Sequence, residues 1–266
     1  DTVTMSDSAF IFSDTRGPAK GEGIRVQATS SLTLEGGSRI TTDALVSDGA
    51  GGDISIQTAV LSLRDANTKI ASDTQRSGGD SGALSIQAEM LIISDGAQVS
   101  SRSASGGNGG DILIEVGSLE LNNGGLISGQ TVGDGKGADV TIKADKSVVI
   151  NGHAGSATGI SVSSLNLAFF SFGKNGDAGD VNIITPLLTL NNGGKITAES
   201  VTPDSGAPGT ITLNLDELVL SGGSFISTKT ASSSDGGPIT INTDSLHMLG
   251  AGSSISSSTS RNASGG

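Results

Sequence analysis

GGDILIEVGSLELNNGGLISG, residues Gly109 to Gly129, decides the fold. Ile112 and Ile114 alternate with Leu113 and Glu115, and Leu119 and Leu121 flank Glu120. Alternation with period two sends successive side chains to opposite faces of a strand, so each apolar pair marks a short strand with one buried face. Asn122-Asn123-Gly124-Gly125 then breaks the pattern ahead of Leu126, Ile127 and Ser128. Gly and Asn accept the left-handed backbone of tight turns, so the stretch reads as strand, turn, strand, turn, strand. No part of it carries a helical period.

Outward from this stretch the same pattern recurs along the chain. First strands open at Ile24, Ile54, Leu84, Ile112, Val140, Val181, Ile211 and Ile239, a spacing of 28 to 30 residues with one interval of 41. Two residues on, each has a second apolar side chain: Val26, Ile56, Ile86, Ile114, Ile142, Ile183, Leu213 and Ile241. Second strands follow as Leu32/Leu34, Leu61/Leu63, Leu91/Ile93, Leu119/Leu121, Val148/Ile150, Leu188/Leu190, Leu218/Leu220 and Leu246/Met248. Third strands are marked by Ile40, Ile70, Val99, Ile127, Ile160, Ile196, Ile226 and Ile255. One unit has too few apolar residues to bury a core alone, so the units must stack, each covering its neighbour. Equivalent strands then pair in parallel at about 4.8 Å. The expected fold is all-β, a right-handed parallel β-helix (a β-solenoid) with three short strands per rung. Eight to nine rungs make a rod of roughly 40 Å.

The corner between second and third strands recurs as Glu35 to Ile40, Ser94 to Val99, Asn122 to Ile127, Asn191 to Ile196 and Ser221 to Ile226, always with Gly. Asn122/Asn123 and Asn191/Asn192 suggest a stacked Asn ladder, although they do not fall on adjacent rungs. Loops returning to the next first strand, such as Ser47 to Asp53, Gly106 to Asp111, Gly133 to Asp139 and Asn175 to Asp180, are rich in Gly, Ser and Asp. Their low apolar content places them at the mobile edge of the rod.

Composition is uniform over residues 1–266, which favours a single β-helix domain. Val3, Met5 and Ile11 match the second and third strand positions, and Ser256 to Gly266 stop short of another first strand. The expectation is a segment of a longer repeat protein, or a unit that stacks end to end with its own copies. Cys is absent, which excludes disulfides and Cys-based metal sites among these residues. A net charge of −12 with scattered Lys and Arg argues against a nucleic-acid partner. No apolar run reaches the ~20 residues of a membrane span, and Asp1 to Phe10 do not form a signal peptide.

The repeat, Gly-Gly-Asn/Asp-Ile-x-Ile-x4-Leu-x-Leu-x-Asn/Ser-Gly-Gly/Ala-x-Ile-Ser/Thr, is plainest at Gly109 to Ser128, Gly179 to Thr197 and Gly209 to Ser227. It resembles the repeats of filamentous haemagglutinin-type exoproteins exported by two-partner secretion. The resemblance implies a secreted, surface-associated β-helical fibre of a Gram-negative bacterium, structural or adhesive and without catalysis. Implied partners are glycans or proteins of a host or neighbouring cell, and an outer-membrane transporter during export. The secretion domain of that family, with its Asn-Pro-Asn-Gly signature, is not in these residues. Two alternatives stay open: a self-associating filament subunit, and a carbohydrate-active β-helix enzyme.

Little in the sequence suggests chemistry. Asp53, Asp111, Asp139 and Asp180 each precede a first strand, and the last three lie on consecutive rungs. Carboxylates stacked near 4.8 Å repel by about 1 kcal/mol in water, and a cation would relieve this. Calcium held by Asp111, Asp139 and Asp180 is therefore one reading, and caps on loop amides the default. His153 and His247 have no partner at metal-ligand spacing, and His247 should point outward. Trp and Tyr, which stack on sugar rings, are absent, and no Ser/His/Asp arrangement or carboxylate pair stands out, so no catalytic residue and no cofactor is assigned. Thr41, Ser100, Ser128, Ser161, Thr197, Ser227 and Ser256 form a hydroxyl column, read as plain sheet surface. The fifth unit carries an insertion over about 151–176. Leu165, Leu167, Phe169, Phe170 and Phe172 in it either fold back on the rod or form an apolar patch for a partner.

Overall fold

The apolar columns of the sequence become two stacked parallel sheets. A computed structural model describes residues 1–45, 48–75, 78–104, 106–153, 155–165 and 176–260, which are all-β with no helix. In chain order the strands are β1 (Thr2–Met5), β2 (Phe10–Phe12), β3 (Ile24–Leu34), β4 (Arg39–Thr41), β5 (Ile54–Leu63), β6 (Lys69–Thr74), β7 (Leu84–Ser94), β8 (Gln98–Ser103), β9 (Ile112–Asn122) and β10 (Leu126–Thr131). They continue as β11 (Val140–Asn151), β12 (Gly159–Ser164), β13 (Val181–Asn191), β14 (Lys195–Ser200), β15 (Ile211–Ser221), β16 (Phe225–Ser227), β17 (Ile239–Asn242), β18 (Ser245–Leu249) and β19 (Ser254–Ser256). The long sheet runs β1-β3-β5-β7-β9-β11-β13-β15-β17, with β18 also on β15, and the short sheet stacks the even strands from β2 to β16 and ends on β19. Each strand pairs with the one a full turn away, so the chain is a β-solenoid of about eight turns.

Register places each unit's apolar residues on their equivalents. Val99, Ile127, Ile160, Ile196 and Ile226 stack along the short sheet. Within one rung Ile54, Ile56, Leu61, Leu63 and Ile70 are all at most 1% exposed. Burying each such side chain contributes roughly 1.5–3 kcal/mol, a gain available only because a rung lies above and another below.

The first two of the three expected strands are one strand of 10 to 12 residues from β3 to β15, and separate only as β17 and β18. Parallel neighbours keep the backbone bonded on both sides of a bend, as where Ala88 pairs with Val116 and Met90 with Ser118 around Glu89 and Gly117. The corner after the long strand uses two left-handed residues, Asn123 (φ 47°) and Gly124 (φ 91°). On the rung between the two Asn pairs, Asn151 sits in register with Asn122 and Asn191 and completes the ladder. Asn192 Nδ2 donates to Asn151 Oδ1 at 2.9 Å.

The described residues of the return loops are bonded from rung to rung. Gly51 N donates to Asp80 O, Ser81 N to Asn108 O, Gly109 N to Lys136 O and Gly137 N to Asp177 O, at 2.8–2.9 Å. Buried hydroxyls of the short sheet tie this side inward: Thr42 Oγ1 donates to Gly52 O at 2.5 Å, and Ser72 Oγ accepts the Gly82 amide at 2.7 Å. Backbone stacks on backbone here, so a Cβ at Gly82 would collide with the Gly52 carbonyl oxygen, and one at Gly110 with that of Gly82. The glycines are required by close approach, and the side they build is a third bonded ladder.

Gly82→Ala should cost about 2–4 kcal/mol in urea unfolding, because the neighbouring rung cannot move without breaking its own bonds. Gly106→Ala, which has open space around its Cβ position, should stay within about 0.5 kcal/mol of the unaltered chain.

Candidate functional site

The bend of the long strands leaves a concavity along the outside of the rod. Its floor is small or tucked inward: Ala28 is 3%, Thr58 7%, Val116 4%, Ala144 4% and Thr185 3% exposed. The residue before each bend points out and stacks in register as Gln27, Gln57, Gln87, Glu115, Lys143, Ile184, Asn214 and Asn242. Within this row Gln27 Nε2 donates to Gln57 Oε1 at 3.1 Å, Gln87 Nε2 to Glu115 Oε2 at 3.2 Å, and Asn242 Nδ2 to Asn214 Oδ1 at 2.9 Å. Lys143 Nζ pairs with Glu115 at 2.9 Å. Hydrogen bonds from Lys143 and Gln87 hold the Glu115 carboxyl below its usual range.

Two hollows make up the groove. One, of about 910 Å³, runs from Gln27 to Lys146, and the other, of about 650 Å³, from Ala144 to Asp244. They meet at Asp145, where the pairing register of β11 shifts against both neighbours between Lys143 and Ser147. An extra residue at a bend makes a bulge, which re-aims nearby side chains. β3 carries a similar shift between Ala28 and Ser31. Sequence reasoning missed the groove. Its signal was Gln27, Gln57 and Gln87 at one position of the repeat, and one extra residue between the apolar pairs of the first and fifth units.

The Asp residues before the first strands act as caps. Asp53 Oδ1 accepts the Ala83 amide at 2.9 Å, Asp111 Oδ1 that of Asp139 at 3.4 Å, Asp139 Oδ1 that of Asp180 at 2.7 Å, and Asp180 Oδ1 that of Thr210 at 2.7 Å. Lys136 Nζ lies 2.8 Å from Asp139 and 3.2 Å from Asp180, and relieves their mutual repulsion. Burial works against the Asp180 carboxylate, but the Thr210 amide and hydroxyl and the Lys136 ammonium outweigh it and hold it below its usual range. Among the described residues no group of three His, Cys, Asp or Glu side chains is placed to hold a metal.

A second acidic group lies on the short sheet, where Asp43 stacks on Asp73. The Asp73 amide donates to Asp43 Oδ1 at 3.3 Å, and Lys69 pairs with Asp73 at 3.1 Å. Burial, then the Asp73 charge, raises the Asp43 carboxyl to about 6 against the opposing pull of Lys69 and the Asp73 amide.

Of the insertion residues, Leu165 is half-buried, and its amide donates to Thr131 O at 2.9 Å, extending the short-sheet ladder. Leu167, Phe169, Phe170 and Phe172 lie outside the described residues. His153 is exposed, and His247 points outward, 3.8 Å from Glu217. The hydroxyl column is in register, with Thr197 Oγ1 donating to Ser161 Oγ at 3.0 Å, but Thr41, Thr197 and Ser227 in it are buried, so it is only in part the plain sheet surface expected. No family model, curated protein or solved structure matches the chain.

Because Lys136 and the loop amides serve the Asp139 and Asp180 carboxylates, a calcium chelator should leave the melting midpoint unchanged. Lys136→Met should lower stability by at most about 1 kcal/mol in urea titrations, as expected for a half-exposed ion pair.

The raised Asp43 carboxyl sets a pH dependence. Between the ordinary aspartate value and about 6, the folded chain keeps a proton that the unfolded chain has released. That stabilisation is complete below the ordinary value and lost as pH rises through about 6. Asp53 and Asp180, lowered in the fold, act below this window and in the opposite sense. Denaturation should therefore show a gain of about 1 kcal/mol, after screening, from pH 7 to pH 5, most of it lost in Asp43→Asn.

Proposed function

We propose that this chain is a segment of a secreted, non-enzymatic β-helical fibre, structural or adhesive, at the outer surface of a Gram-negative bacterium. Its repeat resembles that of filamentous haemagglutinin-type exoproteins, and the fold fits the role. The observation that carries the reading is the uninterrupted parallel ladder, from β1 to β17 on one side and β2 to β19 on the other. A rod bonded rung to rung is stiff along its axis, as a spacer holding a contact surface away from a cell must be. The groove adds polar groups repeated along the rod and favours an adhesive role over a purely mechanical one. On this reading the chain is exported through an outer-membrane two-partner transporter, and its partners are glycans or proteins of a host or neighbouring cell.

The full-length protein should be found in the medium or be removable from intact cells by added protease, and beads coated with this chain should retain target cells. Electron microscopy should show single rods of roughly 40 Å for these residues. Recovery only from the cytosol overturns the reading. Long polymers would replace it with the filament subunit, and release of reducing ends from a glycan panel with the enzyme.

A further inference from the structure

We propose that the groove along the bend of the long sheet binds a linear, uncharged polysaccharide lying parallel to the solenoid axis. This deepens the adhesive reading and rests on it. Three observations lead to this ligand class. First, the two hollows follow one another along the rod and share Asp145 as a lining residue. The occupant of the groove is therefore long and narrow, and the floor, of side chains that are small or tucked inward, lets that occupant lie close to the sheet.

Second, five of the eight outward positions on one wall are carboxamides: Gln27, Gln57, Gln87, Asn214 and Asn242. A carboxamide offers donors and an acceptor, and so pairs with a hydroxyl whichever way the hydroxyl points. The Gln27–Gln57 and Gln87–Glu115 pairs leave the ladder broken between Gln57 and Gln87. There Gln57 and Gln87, in register across one rung step, both line the groove. Ile184, 42% exposed, and Pro186 supply an apolar platform among the polar groups of the second hollow, suited to the C–H face of a sugar ring.

Third, the spacing suits a sugar polymer better than a peptide. Equivalent groups recur every ~4.8 Å along the axis, whereas an extended peptide advances about 3.3 Å per residue and falls out of step. Equatorially linked pyranoses advance by close to one rung per ring. Between the end strands, pairing on both sides also occupies the backbone groups of the sheet, so a peptide lying in the groove could not add to it as a further strand. Charge selects against a polyanion. Glu89, Asp145, Asp216 and Asp244 line the groove against Lys146 and the Lys143 that already neutralises Glu115, and the chain carries −12; the uncharged carboxamide row favours a neutral chain of hydroxyls over a polycation.

The test is calorimetric titration of the chain with cellohexaose, mannohexaose and xylohexaose, their disaccharides, a heparin hexasaccharide and hexalysine. At least one neutral hexaose should bind, and its disaccharide roughly tenfold more weakly, since fewer rungs are engaged. Gln57→Ala/Gln87→Ala should weaken binding roughly tenfold at an unchanged melting midpoint, and Gln57→Glu/Gln87→Glu, which keeps side-chain size, should weaken it as well. Ser128→Ala on the short sheet should not alter it. The proposal is overturned if no neutral hexaose binds, if length or the groove substitutions make no difference, or if only heparin or hexalysine binds. Beads carrying the Gln57→Ala/Gln87→Ala chain separate the two readings. If they still retain cells, the groove is not the contact and the adhesive role stands; if the unaltered chain binds a hexaose and retains no cell, the adhesive role falls alone.

Discussion

Everything in this molecule follows from one constraint, the parallel stacking of each rung on the one before it at a fixed spacing near 4.8 Å. Among the described residues, backbone groups on both sheets and at points along the return loops find partners one turn away, so the ladder has a third bonded side. A residue is thereby held against its equivalents above and below, and what suits one rung must suit the next. The interior accepts this readily, because Ile on Ile and Leu on Leu bury apolar surface without needing variety.

Polar positions obey the same constraint with different solutions. Where carboxylates would stack, each takes the amide of the following rung as partner, and Lys136 joins Asp139 and Asp180. Where the chain must approach its neighbour most closely, the side chain is given up, as at Gly52, Gly82 and Gly110. Buried Thr42 and Ser72 then bond this glycine side to the short sheet. Asp43, stacked on Asp73 and half buried, is the place where the solution is least complete, and its raised carboxyl is the consequence.

Departures from the repeat are more informative about function than the repeat itself. The register shift in β11 lies where the two hollows of the groove meet, in the same unit that carries the long insertion. A strict repeat would keep that row uniform; here amides give way to an ion pair and then to Ile184 and the Asn residues. On the sequence reading Leu165, Leu167, Phe169, Phe170 and Phe172 of the insertion either fold back on the rod or form an apolar patch, and all but Leu165 lie outside the described residues; among the described residues the shaped surface is at the bend, on residues that look unremarkable one at a time.

The sequence by itself determined the architecture: the period, the apolar columns, the Gly corners and the stacking they require are local patterns repeated eight times, and a repeated pattern can be read without its three-dimensional context. Tertiary structure decided the rest. Whether two apolar pairs are two strands or one bent strand depends on hydrogen bonds from neighbouring rungs, which kept β3 to β15 continuous. The return loops lack apolar residues, and the rung-to-rung backbone bonds and close Gly contacts of their described residues are not revealed by composition. Gln27, Gln57 and Gln87 lie about thirty residues apart in the chain, and only stacking turns them into one wall of a groove. A site made of one side chain from each of many rungs has no local signature, because its concavity belongs to the bend of the sheet and not to any residue.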